Sequence, residues 1–444
     1  MSEPQSPNVI VFLTDQQRWD CAGLHGNPLD LMPNFDRLAR AGTHLRHSFT
    51  CQPLCVPARG CLQTGAYATT AGVHYNQRYL APGTRTLAHH FRDAGYRTAY
   101  FGKWHLAPHR ERGPVEPEFR GGYEDWLAAN ILELVSDAYD CRLYDENGAE
   151  HRLPGYRVDA LTDAAIRYIE RPRSQPFFLF LSYLEPHHQN SRDDYPAPEG
   201  YAERYEGKWI PPDLEALGGN SARHLGGYCG MVKRLDEALG RLCEALCANG
   251  QWENTILLFT SDHGCHFRTR NAEYKRSCHE SSIRVPSFFH GPGFMGGGDR
   301  SELVSLIDLP PTLLDAAGVP VPPEMQGDSL MPRLRGRGGD WRDEIFIQIS
   351  EAQNARALRL RRWKYCVSVQ GADAEAARKA PVWPAYTEEA LYDLETDPSE
   401  LNNLIDDDSH AAIAVELRHR LLARMAEVGE PIPEIRSARP VPLT

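Results

Sequence analysis

The stretch NVIVFL, residues 8–13, is an unbroken apolar run rich in β-branched residues, and it hands over at once to Thr14, Asp15 and Gln16. A run of that kind suits a strand covered on both faces, as in a parallel sheet. Four more runs read as strands: Thr98–Phe101 (TAYF), Phe177–Tyr183 (FFLFLSY), Thr255–Thr260 (TILLFT) and Val285–His290 (VPSFFH). Between them, apolar residues recur at helical spacing over Phe35–Ala41, Leu87–Ala94, Val158–Ile169, Leu225–Ala248 and Leu309–Ala317. The alternation predicts an α/β fold with a large, mostly parallel central sheet sandwiched by helices. From about Asp340 the texture changes. Strand-like pieces at Glu344–Ile349, Ala357–Leu360 and Lys364–Val369 follow one another without a long helix until His410–Val428, which predicts a smaller C-terminal antiparallel sheet plus one helix. The Gly-rich stretch Gly336–Asp340 marks the junction, dividing the chain into residues 1–339 and 340–444.

Composition narrows the function. With 41% hydrophobic and 24% charged residues over 444 positions, the chain reads as an ordinary globular protein, and whole-chain disorder is excluded. No apolar run approaches the ~20 residues that span a bilayer. Met1–Pro7 is too short and polar for a signal peptide, so the chain as written reads as cytoplasmic; a periplasmic or secreted protein stripped of its leader would read the same. A net charge of −12 argues against nucleic-acid and membrane partners, and a polyanionic substrate would need a local basic pocket. Eleven cysteines, an odd number in a long chain, fit a reducing compartment better than a disulfide scaffold.

In an open α/β sheet the functional crevice lies outside the carboxyl ends of the strands. The first strand delivers Asp15 and Gln16, the next Lys103 and His105 (FGKWH), the third Glu185, His187 and His188 (LEPHH), and the fourth Asp262 and His263 (TSDHG). Asp15 with Gln16 and Asp262 with His263 are the candidate ligands of one divalent cation. Oxygen-dominated ligation with a single imidazole puts Ca²⁺ ahead of Mg²⁺ or Mn²⁺. A second constellation is CVPARGCLQTG, Cys55–Gly65. Cys55 sits at the start of a helix, where the dipole and free amides favour an anion, and Arg59 lies one turn up the same face. Taken alone, Cys51, Cys55 and Cys61 also permit a zinc or disulfide set, and Cys55 a bare thiolate nucleophile with His105 or His187 as its base.

CVPAR resembles the CxPxR maturation signature of the type I sulfatases of the alkaline phosphatase superfamily, with Ala58 where serine is frequent. The resemblance runs on through GKWH (102–105), PHH (186–188), SDHG (261–264), YKRSCHESSIRVP (274–286) and LYDLETDPSELNNL (391–404), covering nearly the whole chain. It implies an alkaline phosphatase-like catalytic domain and a Cys55 converted by a formylglycine-generating enzyme to formylglycine, whose hydrate is the nucleophile. Arg59 orients it, Lys103 and Lys275 hold sulfate oxygens, His187 is the general acid and His105 the base that frees the product. Asp15, Gln16, Asp262 and His263 are the implied metal ligands. Many members carry Asp-Asp and Asp-Asn at those pairs; Asp-Gln with Asp-His resembles the branch holding phosphonate monoester hydrolases and several glycan sulfatases.

The expected substrate is therefore a sulfated saccharide or other small sulfate ester, with a phosphonate or phosphate ester as the alternative. A catalytically silent binder of sulfated ligands is a further reading, and its mark would be loss of Cys55, Arg59 or the metal acids. Asn76, Gln77, Arg78, Trp104, His188, Arg268 and Arg270 are candidate substrate contacts, Trp104 by stacking on a sugar ring and the arginines by pairing a uronate. Arg234, Glu237, Arg241 and Glu244 read as the solvated face of a helix. The oligomeric state is open, a homo-oligomer included.

Overall fold

The computed structural model of the chain describes residues 6–438 apart from 111 and 339. The expected junction at residue 339 thus lies outside the described residues, as do residues 1–5 and 439–444. The main sheet has ten strands: β1 (Asn8–Thr14), β2 (Thr43–Phe49), β3 (Arg97–Lys103), β4 (Asp125–Ala129), β5 (Cys141–Asp145), β6 (Glu150–Leu153), β7 (Phe177–Ser182), β8 (Thr255–Ser261), β9 (Phe288–His290) and β10 (Gly298–Ser305). Their order is β10-β2-β9-β8-β1-β7-β3-β4-β5-β6. The centre, β8-β1-β7-β3-β4, is wholly parallel. The flanks are not: β9 runs antiparallel to both neighbours and β4-β5-β6 form an antiparallel meander, so the sheet is mixed.

The helices that frame the site are α1 (Pro33–Ala41), α2 (Cys55–Thr64), α3 (Leu87–Asp93), α4 (Leu132–Val135), α5 (Arg157–Ile169), α6 (Ser221–Ala248), α7 (Leu309–Ala316) and α8 (Ala411–Glu427). Successive side chains of a strand point to opposite faces, and β1 is apolar on both because helices cover both. Val9, Val11 and Leu13 pack with Val56 and Leu62 of α2, Phe91 of α3 and Leu313 of α7. Ile10 and Phe12 pack with Phe35 of α1, Leu161 of α5 and Leu239 of α6. Each such buried side chain contributes roughly 1.5–3 kcal/mol, which anchors the strand that carries Asp15.

The second sheet comprises β11 (Glu344–Ile349), β12 (Ala355–Leu360), β13 (Trp363–Ser368), β14 (Ala385–Asp393) and β15 (Glu434–Arg436), antiparallel except that β15 runs parallel to β14. One face sets Ile345, Ile347 and Ile349 on Phe49 and Ile283 of the main body; the other sets Phe346 and Leu358 against Leu417 and Leu421 of α8. Buried ion pairs reinforce the contact, Arg359 and Lys364 both reaching Glu280. The charged stripe of α6 is not simply solvated: Arg234 and Arg241 bridge to Asp159 of α5, and Arg241 also pairs with Asp163. No helix among the described residues is long and apolar enough to cross a membrane.

Candidate active site

Because β1 is hydrogen-bonded between β7 and β8 and all three run parallel, their carboxyl ends open side by side. The amide of Asp15 donates to the carbonyl of Glu185 at 3.2 Å, and that of Asp262 to the carbonyl of Thr14 at 3.1 Å. Into this crevice α2 presents Cys55, its first residue. One ligand atom each from Asp15, Cys55, Asp262 and His263, all buried, lie within 4.8 Å of one another. Gln16 stands beside them in the left-handed region (φ 66°). Its amide nitrogen donates to Tyr195 Oη at 3.1 Å, while its buried Oε1 has no partner. His263 donates through Nδ1 to the carbonyl of Gly264 (3.0 Å), which turns the lone pair of Nε2 toward Cys55 Sγ, 3.4 Å away.

Arg59 holds the carboxylates apart. Its guanidinium, 2% exposed, donates to Asp15 at 2.9 Å, Asp262 at 3.1 Å, the carbonyl of Lys103 and Ser182 Oγ. Burial pushes Asp15 up, but Lys103, His187 and Arg59 hold it well below the usual carboxylate range. Asp262 moves the other way, raised by burial and by the charge of Asp15. Two buried carboxylates side by side, an orphaned amide oxygen and an imidazole lone pair aimed into the cage fit a bound divalent cation.

Four basic side chains close the cage. Lys275 Nζ lies 2.9 Å from Cys55 Sγ, 3.1 Å from His263 Nε2 and 3.2 Å from His187 Nε2. Lys103, fully buried, reaches Asp15 at 2.8 Å and Cys55 Sγ at 3.9 Å. His105, at φ 60°, stands near the Cys55 thiol and helps to hold it down. His187 donates through Nδ1 to the carbonyl of His188 at 2.6 Å, leaving Nε2 toward the cage. Burial alone would push the Cys55 thiol up; Lys103, Lys275 and His263 bring it well below its ordinary value. The pocket is therefore electrostatically fit for an anion. Cys51 and Cys61 are buried next to each other and stand outside the metal-capable group, which removes the zinc reading of the three cysteines.

The candidate substrate contacts divide. His188 stacks on His187 at 4.4 Å and packs on Tyr274 at 4.5 Å, next to Lys275. Arg268 pairs with Asp193 and lies over the Tyr274 ring at the rim, partly exposed. Asn76 instead serves the helix head: its Oδ1 accepts from the Val56 amide and its own amide donates to Glu351. Arg78 bonds the carbonyl of Gly72 on the surface, and Gln77 accepts from Lys379. Trp104 and Arg270 are corrected outright. Just past the end of β3, Trp104 is fully buried in a nest of Tyr100, Tyr123 and Trp126, away from the cage that Lys103 and His105 enter. Arg270 spends its guanidinium on the carbonyls of Ser399 and Glu400. The residue that sequence reasoning missed is Glu133 of α4, buried and 3.0 Å from Lys103 Nζ.

The sulfatase family model matches residues 7–319, a span that contains every residue of this cage. The chain belongs to the sulfatase family. It is thus a sulfuric ester hydrolase of alkaline phosphatase-like fold, as the motif resemblance implied. The C-terminal model of N-sulphoglucosamine sulphohydrolase matches residues 272–427 of this sulfatase. The ulvan-active sulfatase of Formosa agariphila is 28% identical over 96% of this chain and 83% of its own length. A structure from a Bacteroides thetaiotaomicron locus for the metabolism of multiple glycosaminoglycans superposes with a TM-score of 0.82 at 22% identity, covering 96% of this chain and 97% of that one. The phosphonate monoester hydrolase of Agrobacterium radiobacter matches at 0.70 and 25%, covering 95% and 96%.

Proposed function

We propose that this sulfatase hydrolyses the sulfate ester of a sulfated carbohydrate, using formylglycine made from Cys55 by a formylglycine-generating enzyme. The observation that carries the reading is Cys55 itself, buried at a helix head with Lys275 at 2.9 Å and His263 at 3.4 Å. The carbohydrate follows from the relatives, one named for ulvan and one for glycosaminoglycan metabolism. Asp15, Gln16, Asp262 and His263 would hold the cation, Ca²⁺ before Mg²⁺ or Mn²⁺. Bound there, it supplies positive charge beside the attacking oxygen and the sulfate oxygens. Formylglycine hydrate supplies two hydroxyls on one carbon, one to attack sulfur and one whose deprotonation releases the product.

The chain's own residues do the rest. Lys275 and Lys103 take up sulfate oxygens, and Arg59 offsets the charge of the two carboxylates. With Nδ1 tied to a carbonyl, His187 keeps Nε2 toward the cage, and that atom is the one from which it would pass a proton to the departing alkoxide oxygen. His105, near Cys55, would take the proton from the second hydroxyl. His188 and Arg268 stand at the rim, where the sugar would lie.

A second reading, a phosphonate monoesterase on the same nucleophile, is favoured by the phosphonate hydrolase likeness and by the Asp-Gln and Asp-His pairs. One panel separates them: sulfated oligosaccharides scored for sulfate loss by mass spectrometry, beside 4-nitrophenyl sulfate and 4-nitrophenyl phenylphosphonate, with co-expressed maturation enzyme. Desulfation of an oligosaccharide at a kcat/KM above that of the phosphonate supports the proposal; a faster phosphonate rate and no desulfation overturns it.

A further inference from the structure

Three carboxylates, not two, face the cage. Asp15 and Asp262 are accounted for by the cation position. Glu133 is not: it lies on the far side of Lys103, on the short helix α4, with Oε1 3.0 Å from Lys103 Nζ. It is 5% exposed, and its Oε2 is buried without a partner. Burial pushes its carboxyl up, yet Lys103, His105 and His187 hold it down at about 2, so it stays charged under all working conditions. The same residue ends an open cleft of ≈ 610 Å³ that also runs past Asp137, Arg142 and Gln189. Lys103 therefore divides its charge between Asp15 and Glu133. A fixed negative charge stands one lysine away from the bound anion.

We propose that Glu133 is a specificity-determining residue that sets the charge of the ester the site accepts, favouring monoanions over dianions. The inference rests on the sulfatase reading of the cage. A sulfate ester carries one negative charge, whereas a phosphate monoester carries close to two above about pH 6. Both repel Glu133, the dianion twice as strongly. Across roughly 6 Å at an effective dielectric of about 20, that extra unit of repulsion is worth about ten- to a hundredfold in selectivity. A phosphonate monoester, also a monoanion, escapes it, so the filter reads charge and not whether the central atom is sulfur or phosphorus. This is discrimination by a built-in repulsion and needs no extra contact with the preferred substrate.

The test measures kcat/KM for 4-nitrophenyl sulfate, 4-nitrophenyl phenylphosphonate and 4-nitrophenyl phosphate at about pH 8, where the last is a dianion. Glu133→Gln should raise the phosphate-to-sulfate ratio at least about tenfold while the phosphonate-to-sulfate ratio stays within about twofold. Glu133→Asp, which keeps the charge, should leave both ratios near wild type. An equal loss on all three esters would mean that Glu133 only props Lys103, and would overturn the proposal. If Glu133→Gln does not fold, the wild-type enzyme supplies the test. Its phosphate-to-phosphonate ratio should rise as pH falls through the second ionisation of the phosphate ester near about pH 6, and a flat ratio overturns the proposal. Failure of the sulfatase reading shows elsewhere, as a wild-type preference for the phosphonate over every sulfate ester.

Discussion

Replacing Arg59 with Gln removes the one permanent cation that touches both Asp15 and Asp262. In the wild type those contacts are 2.9 and 3.1 Å long and the guanidinium is 2% exposed, so no water takes its place. Breaking a buried pair by removing one partner costs about 3–5 kcal/mol. Over the 444 residues, at an unfolding entropy of ~2.1 cal/mol/K per residue, that lowers Tm by about 3–5 °C. The deficit depends on pH. Without Arg59 the pKa of Asp262, already raised by burial and by Asp15, rises further, and a carboxyl so raised contributes stability below its unfolded pKa that is lost as pH climbs through the folded one. The gap to wild type should thus be small near about pH 5 and full near about pH 8. Differential scanning calorimetry in EDTA at both values reads this, and added Ca²⁺ should narrow the gap by binding between the two carboxylates. A variant melting within about 1 °C of wild type at the higher pH in EDTA would refute the view that Arg59 offsets two buried charges.

Further outcomes follow from single residues. His187→Asn should lose about 10²–10⁴ in kcat/KM on a saccharide sulfate but far less on 4-nitrophenyl sulfate, whose leaving phenolate needs no proton; equal losses would argue against its role as the acid. Trp104→Ala, emptying a fully buried site, should cost about 3–5 kcal/mol in chemical denaturation without singling out any one saccharide by KM. His266, buried with Nε2 3.0 Å from the Lys275 carbonyl, is depressed by burial to about 4. A histidine so depressed contributes stability that is present above its unfolded pKa of about 6.5 and lost as pH falls toward 4. Urea unfolding should show a loss on the order of 2 kcal/mol between pH 6.5 and 5 from this group, and His266→Asn should flatten that slope.

Four of the five strands of the parallel centre, β1, β3, β7 and β8, were legible because they are apolar on both faces, the pattern of a doubly covered sheet; β4 (DWLAA), short and opening on Asp125, was not. Nor was the β10-β2 flank. β2 (THLRHSF) carries His44, Arg46 and His47, and β10 (GDRSELVS) opens on Gly298, Asp299 and Arg300, so neither presents the apolar run by which the inner strands were found. Charge on the edge strand β10 keeps the sheet from pairing further, and that same device hides it from a hydrophobicity reading. Val285–His290 shrank to Phe288–His290 because Val285 and Pro286 precede the pairing segment. Within the site, residues on the turns leaving β1, β3, β7 and β8 converge as their position at strand ends required. Trp104 was misread because its place between Lys103 and His105 suggested the site, whereas its ring joins the aromatic core of Tyr100, Tyr123 and Trp126. Glu133 gave no signal: it is one acid in a four-residue helix, and its meaning comes from Lys103, thirty positions earlier in the chain.

The central claim is that Cys55 becomes the nucleophile as an aldehyde. Peptide mass spectrometry across Cys55, on protein co-expressed with a formylglycine-generating enzyme and assayed in parallel for sulfate release, tests it most directly. A loss of about 18 Da at Cys55 is expected, with turnover that rises with the converted fraction. Full activity from protein whose Cys55 is entirely unmodified would contradict it.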